Sequence, residues 1–91
     1  MTLSSAHRQR LRSKAHALKP IIIIGNQGLT PAVHLEIERA LEDHELIKIR
    51  VNAATREDRQ EFIQAICEER QAELIQTIGH IAVIYRRKAK E

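Results

Sequence analysis

A chain of 91 residues has room for one domain with a modest hydrophobic core, and 43% hydrophobic with 30% charged residues describes a globular chain, not a disordered one. No apolar run approaches the roughly 20 residues of a membrane-spanning helix, the opening MTLSSAHRQR lacks the apolar centre of a secretion signal, and the lone Cys67 can form no internal disulfide. Membrane insertion, export and a disulfide scaffold are therefore not expected, and a cytoplasmic location is.

The formal charge of +3 is unevenly spread. Residues 1–20 hold Arg8, Arg10, Arg12, Lys14 and Lys19 and no acid, whereas residues 31–45 hold Glu36, Glu38, Glu42, Asp43 and Glu45 against Arg39 alone. Residues 55–73 carry six acids and three arginines, and the tail 86–91 is basic again. Such a bipolar chain can turn one basic surface toward a polyanion. Solvated helix faces that differ in sign are the alternative.

Ser4 or Ser5 is placed to cap a first helix running to about Leu18, with Leu11, Ala15 and Leu18 along one face. At about 100° per residue, Arg8 and Arg12 fall on one shoulder of that stripe and Arg10 and Lys14 on the other, so the docked helix keeps a basic outer surface. Pro20 ends it and opens the isoleucine run 21–24, a strand expected to be buried on both faces. Gly25, Asn26, Gln27 and Gly28 follow. The glycines let the chain turn and let a ligand approach the backbone. Thr30 and Pro31 then start a helix, so the loop's amides stand at the positive end of a helix dipole. This corner is a candidate anion site, with phosphate the expected anion.

Val33, Ile37, Ala40 and Leu41 mark the buried side of the second helix. Glu38, Arg39 and Glu42 point outward, and Leu35 falls with them, either covered by the first helix or exposed. Next, Ile47, Ile49 and Val51 alternate with Lys48, Arg50 and Asn52, a strand that buries one face and shows a basic one on an open side of the sheet. Thr55 and Asp58 resemble a capping box for a third helix to about Arg70, with Phe62, Ile63 and Ile66 as its stripe. Residues 72–78 and 81–87 are expected strands joined at Gly79 and His80, with glycine where a type II′ hairpin needs it. The result is an α/β fold of order α-β-α-β-α-β-β. Its mixed four-stranded sheet is parallel where a helix intervenes and antiparallel at the last hairpin, with the helices mainly on one face and residues 1–91 as one domain.

Gly-x-x-Gly between a strand and a helix matches neither GxGxxG nor the P-loop pattern, but it matches the clamp that KH domains place on a nucleic-acid backbone. The basic first helix, Lys48 and Arg50 favour that reading. Catalysis is not expected. There is no nucleophile elbow, and Cys67 sits beside the stripe of the third helix, where a packed thiol is the simpler reading. His7, His16, His34, His44 and His80 are scattered, His34 and Glu38 lack a third ligand, and Glu68 and Glu69 point to different faces, so no metal, cofactor or small-molecule substrate is expected. Tyr85 is the one ring placed for exposure. Phosphate, sugar and shape should therefore dominate over base stacking on aromatic rings, and a Tyr85 packed on the sheet with its hydroxyl wet is the alternative.

The succession LRSKAHALKPIIIIGNQGLTPAVHLEIERALEDHELIKIRV, with IGHIAVIYR near the C-terminus, resembles the CRM domain, the chloroplast RNA splicing and ribosome maturation family, and most of all its free-standing bacterial YhbY-like members. The resemblance implies an RNA-binding domain with a fold like the C-terminal domain of bacterial translation initiation factor three. Bacterial members are associated with precursors of the large ribosomal subunit, and plant relatives assist intron splicing. By position, Gly25, Asn26, Gln27 and Gly28 occupy the family's exposed RNA-binding loop, with the basic helix near it. Together with Arg8, Arg10, Arg12, Lys14, Lys19, Lys48, Arg50, Tyr85 and Arg86 they form the expected RNA-binding set. Many members carry lysine where Asn26 stands, so here the amides and neighbouring cations must supply the attraction. Many also carry glycine where Gln71 stands. The expected partner is RNA, specifically ribosomal RNA and pre-large-subunit particles during ribosome assembly. A protein-interaction adaptor using the acidic faces of the second and third helices is the alternative.

Overall fold

Three hydroxyl side chains set the starts of three helices. Ser4, Thr30 and Thr55 each accept a hydrogen bond from the amide three residues on, that of His7, Val33 and Asp58 respectively, which satisfies one orphaned donor in each first turn. In the computed structural model, which describes residues 3–25 and 27–88, these caps open α1 (Ser5–Ala15), α2 (Pro31–His44) and α3 (Arg56–Arg70). The helices alternate with β1 (Pro20–Ile24) and β2 (Leu46–Val51), and a hairpin of β3 (Glu73–Ile78) and β4 (Ile81–Tyr85) completes the expected order. α1 ends at Ala15 and not at Leu18, because the amides of His16, Ala17 and Leu18 bond back three residues to Ser13, Lys14 and Ala15, a tightened closing turn.

The sheet order is β1-β2-β4-β3. β1 and β2 are parallel, and β4 lies antiparallel between β2 and β3. β2 and β3, connected through α3, thus run in the same direction with β4 between them. Gly79, at φ 56°, takes the left-handed position of the hairpin turn.

Both sheet faces are used. On one, Ile22, Ile24, Ile47, Ile49, Val51, Ala82 and Ile84 meet Ile37 and Leu41 of α2 and Ile63 and Ile66 of α3. On the other, Leu11 and Ala15 of α1 cover Leu46, Ile75 and Val83. Two helices therefore share one face and α1 takes the other. Leu35, on the solvent side of α2, is consequently out of reach of α1 and exposed.

β1 departs from the expectation of burial on both faces. Ile22 and Ile24 are buried, but Ile21 and Ile23 are 52% and 63% exposed. The cause is topological: β1 is an edge strand, and α1 packs on β2 and β3 instead of crossing over it. Two helix ends also depart from ordinary backbone, with Glu45 at φ 63° and Gln71 at φ 54°. Gln71 holds the left-handed cap where a glycine would be unstrained, and the next amide, that of Ala72, reaches back to the Cys67 carbonyl at 2.9 Å.

Candidate nucleic-acid interface

The loop after β1 is closed by its own backbone. The Gly28 amide donates to the Gly25 carbonyl at 3.0 Å and the Thr30 amide to the Gly28 carbonyl at 3.1 Å, while the Thr30 hydroxyl accepts from the Val33 amide at 3.2 Å. These bonds consume the Gly28, Thr30 and Val33 amides, which are therefore not free to meet an anion. The two glycines differ. Gly28 is buried at φ 70°, and a Cβ there would stand 3.3 Å from Cζ of Phe62. Gly25 is exposed, and a Cβ there would meet nothing within 4 Å. Gly28 thus serves the packing of the loop, whereas at Gly25 the bare backbone faces open space where a ligand can come close. Gln27 is exposed between them, and Asn26 lies outside the described residues.

A basic strip leads from α1 to this loop. Lys48 and Arg50 project from β2 on the α1 side of the sheet, opposite the buried Ile47, Ile49 and Val51. The Lys48 ammonium donates to the Leu18 carbonyl at 3.0 Å, just past α1, and shares with Lys14, Lys19, Leu18 and Ile21 a cleft of about 380 Å³. Nε of Arg50 donates to Oδ1 of Asn52 at 3.0 Å, and the Asn52 amide donates to the Ile24 carbonyl at 2.9 Å. Lys14, Lys19, Lys48, Arg50, Asn52 and Gly25 therefore follow one another along one side of the molecule. Among the described residues, Arg10, Arg12, Lys14, Lys19, Lys48 and Arg50 make no ion pair.

Arg8 and Arg86 do not join that strip, and Tyr85 meets it only at the end away from the loop, as part of the wall of the Lys14, Lys19 and Lys48 cleft. Arg8 is held at the β3 edge, donating to the Leu74 carbonyl at 2.8 Å and to the Glu73 carboxylate at 3.2 Å. Tyr85 pairs with Leu46, at the opposite end of β2 from the loop, and packs edge-on to His7 with ring centroids 5.6 Å apart. It is half-buried, in line with a ring packed on the sheet. Arg86 faces the acidic side. Its guanidinium grips both Glu38 carboxylate oxygens at 2.7 and 2.9 Å and also donates to the Arg70 carbonyl at 3.0 Å. This fork lowers the Glu38 carboxyl pKa below the ordinary glutamate value and raises that of Arg86, mainly through the shared hydrogen bonds. Residues 89–91 of the basic tail lie outside the described residues.

The remaining chemistry-bearing groups stand apart. Burial pushes the Cys67 thiol up to about 11, with Glu73 and Glu68 adding to the shift, so the reactive thiolate is disfavoured. Among the described residues no cluster of His, Cys, Asp and Glu could hold a metal ion, and no helix is long and apolar enough to cross a membrane. One contributor to the strip, Asn52, and one support of the loop, Phe62, escaped sequence reasoning. Asn52 carried a signal, its place in the Lys48, Arg50, Asn52 alternation, but its bond to Arg50 did not. Phe62 as the wall behind Gly28 carried none.

Residues 3–86 match the CRS1 / YhbY (CRM) domain. An RNA-binding protein of Haemophilus influenzae is 51% identical over 85 residues, covering 93% of this chain and 86% of that protein. The Probable RNA-binding protein PA4753 of Pseudomonas aeruginosa is 40% identical over 90 residues, 99% of this chain and 86% of the relative. The solution structure of the hypothetical protein SAV1595 from Staphylococcus aureus superposes with a TM-score of 0.83 at 35% identity, covering 98% of this chain and 93% of the other. By the extent of the domain match and by these identities, the chain belongs to the CRS1/YhbY (CRM) domain family.

Proposed function

We propose that this protein binds RNA through the surface joining the 25–28 loop, the Lys48 and Arg50 strip and the flank of α1. We further propose that its target is ribosomal RNA in precursors of the large subunit, in the cytoplasm, with no catalytic step of its own. The observation that carries the reading is the placement of the exposed Gly25 backbone beside a run of cations without ion-pair partners among the described residues. Phosphates attracted to such a strip can approach the bare backbone of the loop. The names of the relatives from H. influenzae and P. aeruginosa support RNA as the ligand class, and the ribosomal target follows only from what the family resemblance implies.

Gradient sedimentation of a cell extract tests both levels. The protein should travel with large-subunit precursors and leave them on ribonuclease treatment, whereas an adaptor docked by its acidic helix faces would stay with its partner. Gly25→Asp is the companion variant, because its side chain enters open space and the fold is retained. The added carboxylate should weaken RNA affinity on the order of tenfold by like-charge repulsion. Undiminished affinity in the folded variant removes the loop from the site.

A further inference from the structure

Beyond α1, the open part of its sheet face carries a row of four side chains that crosses all four strands. Ile23 pairs with Arg50, Arg50 with Ile81, and Ile81 with Ile78, and paired residues project to the same face. That face is the α1 side, because Ile24, Ile49 and Ala82 beside them take the other. α1 does not reach the row. Its buried Leu11 and Ala15 stop at Leu46, Ile75 and Val83, leaving Ile23 at 63% and Ile78 at 57% exposure. Arg50 stands between these aliphatic side chains, with Nε fixed by Asn52 and no ion pair among the described residues. The row begins at Ile23, two residues before Gly25.

Resting on the RNA-binding reading above, we infer that this row is a platform for the unstacked bases of a single-stranded RNA segment. The phosphates of that segment lie toward the loop and the lysines. A base has an apolar face that aliphatic side chains can cover, and an arginine guanidinium is a plane on which a base stacks. The sheet has no aromatic ring here, so Ile23, Ile78 and Arg50 supply the surface that rings supply elsewhere. Charge separates this occupant from a second copy of the chain. Two such faces meeting about a two-fold axis would set Arg50 and Lys48 against the same cations, and like charges disfavour that pairing. A duplex keeps its bases stacked out of reach, so the platform confers preference for single strands.

The test measures binding of the full chain by fluorescence anisotropy to three probes: a short unstructured oligoribonucleotide, an abasic strand of equal length and an RNA duplex of equal length. The parent protein should favour the intact strand over the abasic one. Ile23→Thr combined with Ile78→Thr keeps the β-branched, strand-compatible shape. It should weaken the intact strand about tenfold and leave the other two probes unchanged. Arg50→Lys keeps the charge but removes the guanidinium plane, and should weaken the intact strand more than the abasic one. Equal parental affinity for intact and abasic strands, or a uniform loss on all three probes, overturns the platform while leaving RNA binding in place. Failure of the parent to bind any of the three instead overturns the RNA-binding reading itself. Sedimentation velocity run alongside gives one more decisive result: a changed oligomeric state with unchanged RNA affinity assigns the row to a second copy.

Discussion

Gly25 and Gly28 look equivalent in a Gly-x-x-Gly pattern, yet only Gly28 is set by a left-handed backbone and a packed neighbour. The pattern was legible in the sequence, but the division of labour was not, since it depends on Phe62 arriving behind Gly28 from α3. Gln71 poses the converse case, a side-chain-bearing residue in a left-handed cap at φ 54° and ψ 44°. The two positions predict stability changes of opposite sign. Gly28→Ala combines a left-handed φ with a tight contact on Phe62 and should cost about 1–2 kcal/mol. Gln71→Gly relieves the cap and should add about 0.5–1 kcal/mol, less than the full strain because glycine also loosens the unfolded chain. Thermal melts would register shifts of about 4–8 °C per kcal/mol for a chain of this size. A Gly28→Ala protein melting with the parent would show that the loop does not need its left-handed residue.

At the scale of elements, all seven and their order could be read from hydrophobic period, capping residues and the glycine turn. Burial of β1 could not, because four isoleucines in a row look alike whether their strand is central or at an edge. Only the sheet order and the resting place of α1 decide it. Arg86 was likewise readable as a cation but not as a latch. Its fork on Glu38, with Arg70 donating to the same carboxylate at 3.3 Å, ties the end of β4 to α2 and α3. Replacing Glu38 by Gln should cost about 2 kcal/mol near neutral pH, the value of hydrogen bonds to a charged group. The pH dependence has a definite sign. Because the folded Glu38 pKa is lowered, its contribution is fully present above the unfolded value of about 4.3 and is lost as pH falls through the lower folded value. Denaturant titrations should therefore show the parent and Glu38→Gln differing most at neutral pH and converging in acid. A gap that stays constant down to acid would mean the carboxylate charge contributes nothing.

On the scale of the whole molecule, segregation of charge along the sequence becomes segregation in space because α1 lies on one sheet face and α2 and α3 on the other. Lys14 and Lys19 join Lys48 and Arg50 on one side, while the outer faces of the acidic helices look away. With a net charge of only +3, attraction of a polyanion depends on this orientation more than on the total. Each phosphate neutralised on a single strand steepens the plot of log affinity against log salt by about 0.7. If Lys14, Lys19 and Lys48 each meet one phosphate, the slope should lie near −2, at about 0.7 per contact. Replacing Lys48 by Gln should flatten it by about 0.7. Arg86→Gln should leave the slope unchanged even as it lowers stability, since that guanidinium is already neutralised by Glu38. Anisotropy titrations between about 50 and 200 mM salt cover the range in which such slopes are read. Equal flattening by the Arg86 change would move the RNA to the far end of the sheet, beside Tyr85 and away from the loop.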